Sequence, residues 1–323
     1  MRLITLDDII DTYAKSKQRG VSFIASKFNF SGIKRTKSTF NELNTVSANW
    51  WIIPEVKKRW NLLITGDKNM EFEEFLVKEL LKDTKGLKML SIGSGICDHE
   101  LKFASFDNFE EILCLDINEV LFDEAKKIAN QKELKNIKFK LQNIYEYDFP
   151  ENYFDIVFFH HSLHHFKNID QLVGQKIKQT LKEKGVLVID EFVGPNRLQF
   201  PKHQIKAVNQ SLQLIPKKYR KRYLLNFYKN KIYGSGVLRV ILADPSECVE
   251  SESIIPAVHR HLKPIYETPY GGNILANTLK DIAHHFVDLD PEKEKVLKEL
   301  FEFENQYLKE HSSDFVFGVY QKE

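Results

Sequence analysis

Cysteine is scarce. Cys97, Cys114 and Cys248 are the only three in 323 residues, and they lie far apart, without metal-ligand spacing. They imply free thiols in a reducing compartment. Charge of one sign is lacking too: the formal net charge is +2, which leaves no chain-wide footprint for nucleic acid. The local run Lys217-Lys218-Tyr219-Arg220-Lys221-Arg222 reads as a solvated helix face. No apolar run approaches the roughly 18 residues of a membrane span, and Met1-Arg2-Leu3-Ile4-Thr5 opens no apolar signal core. These absences predict a cytoplasmic protein with no membrane partner. The histidines come as adjacent pairs rather than at i, i+4 on a helix, so no metal site is expected. There is no internal repeat and no low-complexity tract.

What remains is an ordinary globular composition, 42% hydrophobic and 28% charged. Residues 1–85 carry helical periodicity, with a polar stretch at Ser31–Thr45 expected as a loop and two adjacent tryptophans, Trp50 and Trp51. Adjacent side chains cannot both face one core from a helix. Either one packs inward while the other closes over a ligand, or both pack between the N-terminal segment and the main domain.

From Leu87 the pattern changes. Apolar runs at Met89–Ile92, Glu111–Asp116, Ile137–Leu141, Phe154–Phe159 and Gly185–Glu191 alternate with helical segments, which predicts a parallel sheet covered on both faces. After Phe192 comes an insertion. Gln204–Leu214 and Lys217–Tyr228 read as helices, and Asp244-Pro245-Ser246-Glu247 as the start of another. Ile265–Tyr270 is a sixth strand candidate, Leu275–Phe286 and Pro291–Lys309 are helical, and Asp314–Tyr320 is expected as an antiparallel edge strand.

Ligands on such a sheet bind at the carboxyl ends of its strands. The first strand ends in Gly93-Ser94-Gly95, glycines that let the backbone turn tightly and approach a ligand. The second ends in Asp116-Ile117, placing a carboxylate where it can accept both hydroxyls of a ribose. The third leads to Asn143-Ile144, a polar side chain beside an apolar one that suits an adenine edge and face. The fourth ends in His160-His161-Ser162-Leu163-His164-His165 and the fifth in Asp190-Glu191. Together and in this order they point to a nucleoside site.

Over roughly Leu87–Glu191 this order resembles the class I S-adenosylmethionine-dependent methyltransferases. Their acid-x-Gly-x-Gly-x-Gly motif reads here Ser91-Ile92-Gly93-Ser94-Gly95-Ile96-Cys97, with Ser for the acid and Cys for the third glycine. The match continues through Asp116, Asn143, Glu151–Val157, Leu163-His164-His165 and Lys184–Leu187. The resemblance implies a Rossmann-like α/β fold with a seven-stranded sheet whose last strand is antiparallel. It also implies a helical N-terminal lid (1–85), a cofactor core (86–192), a substrate-cap insertion (193–262) and a completing segment (263–323). S-adenosyl-L-methionine is the implied cofactor, with Ser91, Gly93, Ser94, Gly95, Asp116, Ile117, Asn143, Ile144 and His160 around it. A looser likeness to bacterial stand-alone enzymes of natural-product or glycan pathways rests on Trp50–Pro54, Gly194–Gln199, Asp244–Glu247 and Tyr270–Asn273.

Methyl transfer to oxygen or nitrogen needs a positioned nucleophile and often a base near neutral pH, which histidine supplies. Strand alternation should send one of His160 and His161 into the site, with His161 favoured, and Glu191 is a further catalytic candidate. Trp50, Trp51, Arg197, Gln199 and His259 are expected on the substrate, a small molecule or peptide, and a homodimer is compatible with the sequence. A nicotinamide oxidoreductase would share the strand, glycine turn and acid, but its Tyr-x-x-x-Lys is missing. An RNA-directed methyltransferase would bring its own base-reading loop or module, and none is recognisable. Titration calorimetry separates the first pair: S-adenosylmethionine is expected to bind and NADH not to, and selective NADH binding contradicts the reading.

Overall fold

The computed structural model describes residues 1–26, 48–82 and 84–323, and the expected loop Ser31–Thr45 lies outside them. The helices that matter below are α1 (Leu6–Ser26), α2 (Pro54–Thr65), α3 (Asp98–Phe103), α4 (Glu119–Gln131), α5 (Lys202–Gln213), α6 (Val237–Ala243), α7 (Ile254–His261), α8 (Leu275–Leu279) and α9 (Pro291–Tyr307). The strands are β1 (Leu87–Ile92), β2 (Phe109–Asp116), β3 (Ile137–Leu141), β4 (Phe154–His160), β5 (Leu181–Phe192), β6 (Lys263–Gly271) and β7 (Phe315–Gln321). They form one sheet in the order β3-β2-β1-β4-β5-β7-β6. β1 to β5 run parallel, and β7 is antiparallel to both neighbours. This is the Rossmann-like seven-stranded sheet expected above. One detail differs: β7 lies between β5 and β6 rather than at the edge, and its continuous burial fits that interior place, whereas β6 is exposed along most of its length.

Alternation along the strands builds two core layers. Met89, Ile112, Cys114, Ile156, Phe158 and Phe317 face one side, where Leu101, Phe103 and Phe122 of the flanking helices cover them. Leu90, Ile92, Leu115, Val157, Phe159 and Ile189 face the other, under Leu172, Val173, Ile254 and Val258. A third cluster joins Trp50 and Val56 to Val208 and Leu212 of α5, Leu275 of α8 and Leu297 and Leu300 of α9.

Two insertion elements depart from the sequence reading. Lys217–Tyr228 is a single tight turn, Lys217–Arg220, followed by a return in which Lys221 bridges Tyr228 in antiparallel fashion. Within it Arg222 pairs with Asp281, and just beyond it Lys229 Nζ donates to the carbonyls of Asn277, Thr278 and Lys280 at the end of α8. Asp244-Pro245-Ser246-Glu247 follows a helix, α6, instead of starting one. Asp244 Oδ1 accepts from the Ser246 amide and hydroxyl, closing a side-chain-mediated turn. The N-terminal helix docks on this region: Asp7 accepts from the amides of Tyr233 and Gly234, and Asp8 from the amide of Gly236 and from Arg239 Nε.

The insertion is tied to the sheet through Asp314, buried just before β7. Its Oδ2 accepts from Gln204 Nε2 at 2.6 Å, and its amide donates to Asn273 Oδ1 at 3.0 Å. Burial, aided by the nearby Glu304 charge and opposed by the Gln204 hydrogen bond, pushes the Asp314 carboxyl up to about 7. The folded state therefore holds this proton where the unfolded chain releases it. The stabilisation is present below the ordinary carboxylate range and is lost as pH rises through about 7. Chemical denaturation between pH 4 and 8 should show this fall in the wild type and a flatter profile in Asp314→Asn; identical profiles would contradict the assignment.

Candidate functional site

The carboxyl ends of β1, β2, β4 and β5 meet around the glycine turn. Gly93 has φ +69, and a Cβ there would lie 2.7 Å from Ser162 Cβ, so the turn after β1 and the loop after β4 touch only because residue 93 has no side chain. Gly95 has φ +54, and a Cβ there would meet nothing within 4 Å, which leaves its backbone beside open space. Cys97, in the place of the third glycine, itself adopts φ +61 at the start of α3. Its thiol is enclosed, and burial pushes its pKa up, so it is a packing residue.

Ser91, expected at the cofactor, is enclosed in the sheet, and its hydroxyl donates to Glu100 Oε1 at 2.5 Å. The acid missing from the motif thus returns in space, nine residues later, from the first turns of α3. Burial raises the Glu100 carboxyl, partly offset by the His99 charge and the Ser91 hydrogen bond.

Asp116, half-buried at the end of β2, accepts from the Gly95 amide through Oδ2 (2.9 Å) and from the Asn118 amide through Oδ1 (2.8 Å). Both oxygens are thereby fixed in direction and keep further lone pairs. Ile117 beside it is half-buried. Asn143 is half-buried, accepting from the Tyr145 amide and donating to Glu146. Ile144 corrects an expectation: its side chain packs in the core with Leu90, Ile92 and Leu115 rather than on an open face.

At β4 the structure brings both histidines to one place. Alternation would put His160 and His161 on opposite faces, but His161 takes φ +46 and breaks the strand there. The two rings lie 4.5 Å apart, centroid to centroid, and one donor atom from each lies within 4.8 Å of Asp190 and of the other. Asp190 is the register partner of His160 on β5, with Oδ2 3.5 Å from His160 Nε2. Its other oxygen accepts from the buried Tyr270 hydroxyl at 2.5 Å, and its carbonyl from the His161 amide at 2.8 Å. The His160 ring stacks on Phe72 and lies against His99, whose Nδ1 is 2.8 Å from Glu73 Oε1. Burial, then the charges of His99 and His161, hold His160 well below the ordinary imidazole range, which keeps it neutral. Burial raises the Asp190 carboxyl, against the His161 charge and the Tyr270 hydrogen bond. Tyr270 and His99 were not among the sequence candidates, and Asp190 stood there only as a strand end without a role; its register opposite His160 at two adjacent strand ends is the signal that could have assigned one.

Glu191 does not face the substrate side. It is fully enclosed, with Oε2 accepting from the amides of Ser162 (2.8 Å) and Leu163 (2.7 Å) and Oε1 from that of Phe192 (2.9 Å), and Oε1 is also paired with His164 Nδ1. Against the cost of burial, the His164 charge and hydrogen bond hold its carboxyl below the ordinary range, while His164 is raised to about 9 by Glu191 first among its neighbours, despite its own burial.

Four further expectations are corrected. Arg197 donates to the carbonyls of Pro245 and Glu247, and Gln199 accepts from the Arg2 amide while donating to the carbonyls of Arg197 and Ser235, so both lock the insertion together. His259 pairs with Glu267 beside Tyr320, whose β5 partner Leu187 lies well short of the carboxyl end. Trp50 is a core residue, 4% exposed and 4.8 Å from Trp60. Trp51 is 47% exposed, which leaves it, of the two, able to meet a ligand.

Residues 83–235 match the family model described as a methyltransferase domain. The uncharacterized methyltransferase YcgJ of Bacillus subtilis (strain 168) is 27% identical over 128 residues, 36% of this chain. That match spans about half of the relative's length, 49%. Among solved structures, Haemonchus contortus phosphoethanolamine N-methyltransferase 2 in complex with S-adenosyl-L-methionine aligns at 16% identity and TM-score 0.46, over 83% of this chain and 56% of that one. An S-adenosylmethionine-dependent methyltransferase from Mesorhizobium loti aligns at 11% identity and TM-score 0.44, over 78% and 98%. At these scores the fold rests on the strand order given above. Among the described residues no helix is long and apolar enough to cross a membrane.

The Glu191 geometry generates a stability prediction. Removing a buried carboxylate that holds three amides and an imidazole should cost about 3–5 kcal/mol. Urea denaturation of Glu191→Ala should show a loss of that size; a loss under about 1 kcal/mol, the range of an exposed residue, would contradict the role.

Proposed function

We propose that residues 83–235, which match a methyltransferase-domain model, form a class I S-adenosylmethionine-dependent methyltransferase that methylates an oxygen of a small molecule, natural product or peptide. The observation that carries this reading is the convergence of His160, His161 and Asp190 at the carboxyl ends of β4 and β5, beside the glycine turn. The turn fits a nucleoside: the Gly95 backbone borders open space, and the Asp116 carboxylate is aimed by two amides. Asp116 is the residue for the ribose hydroxyls and Asn143 for the adenine edge. When bound, S-adenosylmethionine supplies a methyl group on a sulfonium, open to in-line attack.

The chain's own residues prepare the attacking oxygen. One imidazole of the pair accepts the hydroxyl proton, and Asp190, oriented by Tyr270, stabilises the imidazolium that results. His161, where the positive φ ends the strand, is the residue that meets the acceptor. Trp51, 47% exposed, is the aromatic side chain left to pack on the acceptor. An oxygen acceptor is favoured because a carboxylate-backed histidine has most to contribute where a hydroxyl must be deprotonated; the substrate class rests on the absence of nucleic-acid features in the sequence.

Asp116→Ala should weaken S-adenosylmethionine binding at least tenfold by calorimetry, and undiminished binding would remove the ribose assignment. His161→Ala should lower turnover about 10²–10⁴-fold with cofactor binding retained; full activity would take it off the catalytic list. Mass spectrometry of candidate hydroxylated acceptors incubated with the protein and methyl-labelled cofactor reads the product: label on oxygen is expected, and label on nitrogen or carbon would overturn the oxygen assignment.

A further inference from the structure

The second pair of histidines lies outside the methyl-transfer site. His164 and His165 end the short turn Leu163–His165, and the insertion turn Asp244–Cys248 folds over them, with the Val249 amide donating to the His164 carbonyl at 3.2 Å. Glu191 holds His164 Nδ1, which leaves Nε2 facing the insertion, 3.9 Å from Glu247 Oε1. His165 Nδ1 lies 3.1 Å from Ser246 Oγ and 3.9 Å from Asp244 Oδ2. One donor atom each from His164, His165 and Glu247 lies within 4.8 Å of the other two.

At 3.9 Å both imidazole–carboxylate contacts are of ion-pair length, beyond that of a hydrogen bond. A tetrahedral zinc ion, with bonds of about 2.0–2.2 Å, sets its ligands roughly 3.4 Å apart, which small side-chain rotations would reach from here. The supporting contacts are those of a metal centre as well. A histidine ligand commonly has its other ring nitrogen fixed by a carboxylate or another oxygen acceptor, and Glu191 does this for His164.

Charge points the same way. Glu191, Asp244 and Glu247 surround the two imidazoles, while the adjacent Arg197 guanidinium is directed at the backbone carbonyls of Pro245 and Glu247. Glu247 Oε1 also accepts from the Cys248 thiol at 3.2 Å, which fixes that carboxylate's direction. A zinc ion would take the place of the proton on His164 Nε2, which is released on binding, and add one positive charge among three carboxylates. The donor set, two imidazoles and a carboxylate with no thiolate, suits zinc or a similar divalent transition metal better than calcium or magnesium.

We propose that His164, His165 and Glu247 bind one divalent transition-metal ion, zinc by donor set, which clips the insertion turn 244–248 to the loop following β4. The sequence spacing hides this site because its carboxylate comes from an insertion more than 80 residues away from the histidines. The proposal is independent of the methyl-transfer chemistry: the ion ties the cap to the core and touches neither His161 nor the glycine turn.

The test uses the full chain, stripped with EDTA and titrated with Zn²⁺ by calorimetry, with bound metal counted by plasma mass spectrometry. The wild type should take up one equivalent and gain thermal stability. Glu247→Gln and His165→Ala, chosen because they leave the Glu191–His164 pair intact, should each bind zinc roughly 100-fold more weakly or not at all while binding S-adenosylmethionine as before; retained cofactor binding reports that the variants are folded. Less than stoichiometric zinc in the wild type, or variants that bind as tightly as the wild type, would overturn the proposal. So would loss of zinc binding in His160→Ala with none in Glu247→Gln, which would place the ion at the other histidine pair.

Discussion

The site depends on one buried carboxylate. Glu191 sits at the end of β5 with no exposure and gathers the amides of Ser162, Leu163 and Phe192 and the ring of His164. A buried charge is tolerable only where such donors replace water. The geometry has two consequences. The loop after β4 cannot follow its strand and must bend back over β5, and Ser162 is delivered onto Gly93, with its hydroxyl on the Ile92 carbonyl at 2.7 Å. The glycine turn, the histidine pair and the fifth strand end are thereby held as one unit.

Backbone conformation carries much of the specificity at these strand ends. Gly93, Gly95, Cys97 and His161 all take positive φ, a conformation costly for residues other than glycine. Cys97 and His161 bear that cost, and each yields something in return. At Cys97 the chain enters α3 with Glu100 directed at Ser91. At His161 the broken alternation sets two imidazoles and Asp190 together. The strain is local, and the surrounding hydrogen bonds and core packing hold it.

The sheet was legible because burial on both faces forces continuous apolar runs, and those runs, with helices between them, leave few other architectures. Gly93, Gly95 and Asp116 were legible because their roles follow from backbone freedom and a fixed distance along a βα unit. The rest depends on partners far away in sequence. Glu191 reads from the sequence as a catalytic candidate, since nothing local tells that three amides and a histidine, most of them from the loop after β4, will enclose it. Lys217–Tyr228 has helical spacing, yet Asp281 and the carbonyls ending α8 draw Arg222 and Lys229 into a folded-back turn. Asp244-Pro245 has the pattern of a helix start, but Ser246 captures the Asp244 carboxylate first. His259 and Arg197 were chosen by residue type alone, and type does not fix which end of a strand a side chain reaches.

The central claim is that the carboxyl ends of β1, β2, β4 and β5 form a single nucleoside site with the histidine pair at its reacting end. A crystal structure of the full chain with S-adenosylhomocysteine tests it most directly. The account predicts the ribose hydroxyls on the Asp116 carboxylate, the adenine beside Asn143, and the sulfur directed at His160 and His161. A nucleoside bound elsewhere, or one lying in the turn with its sulfur directed away from both histidines, would contradict it.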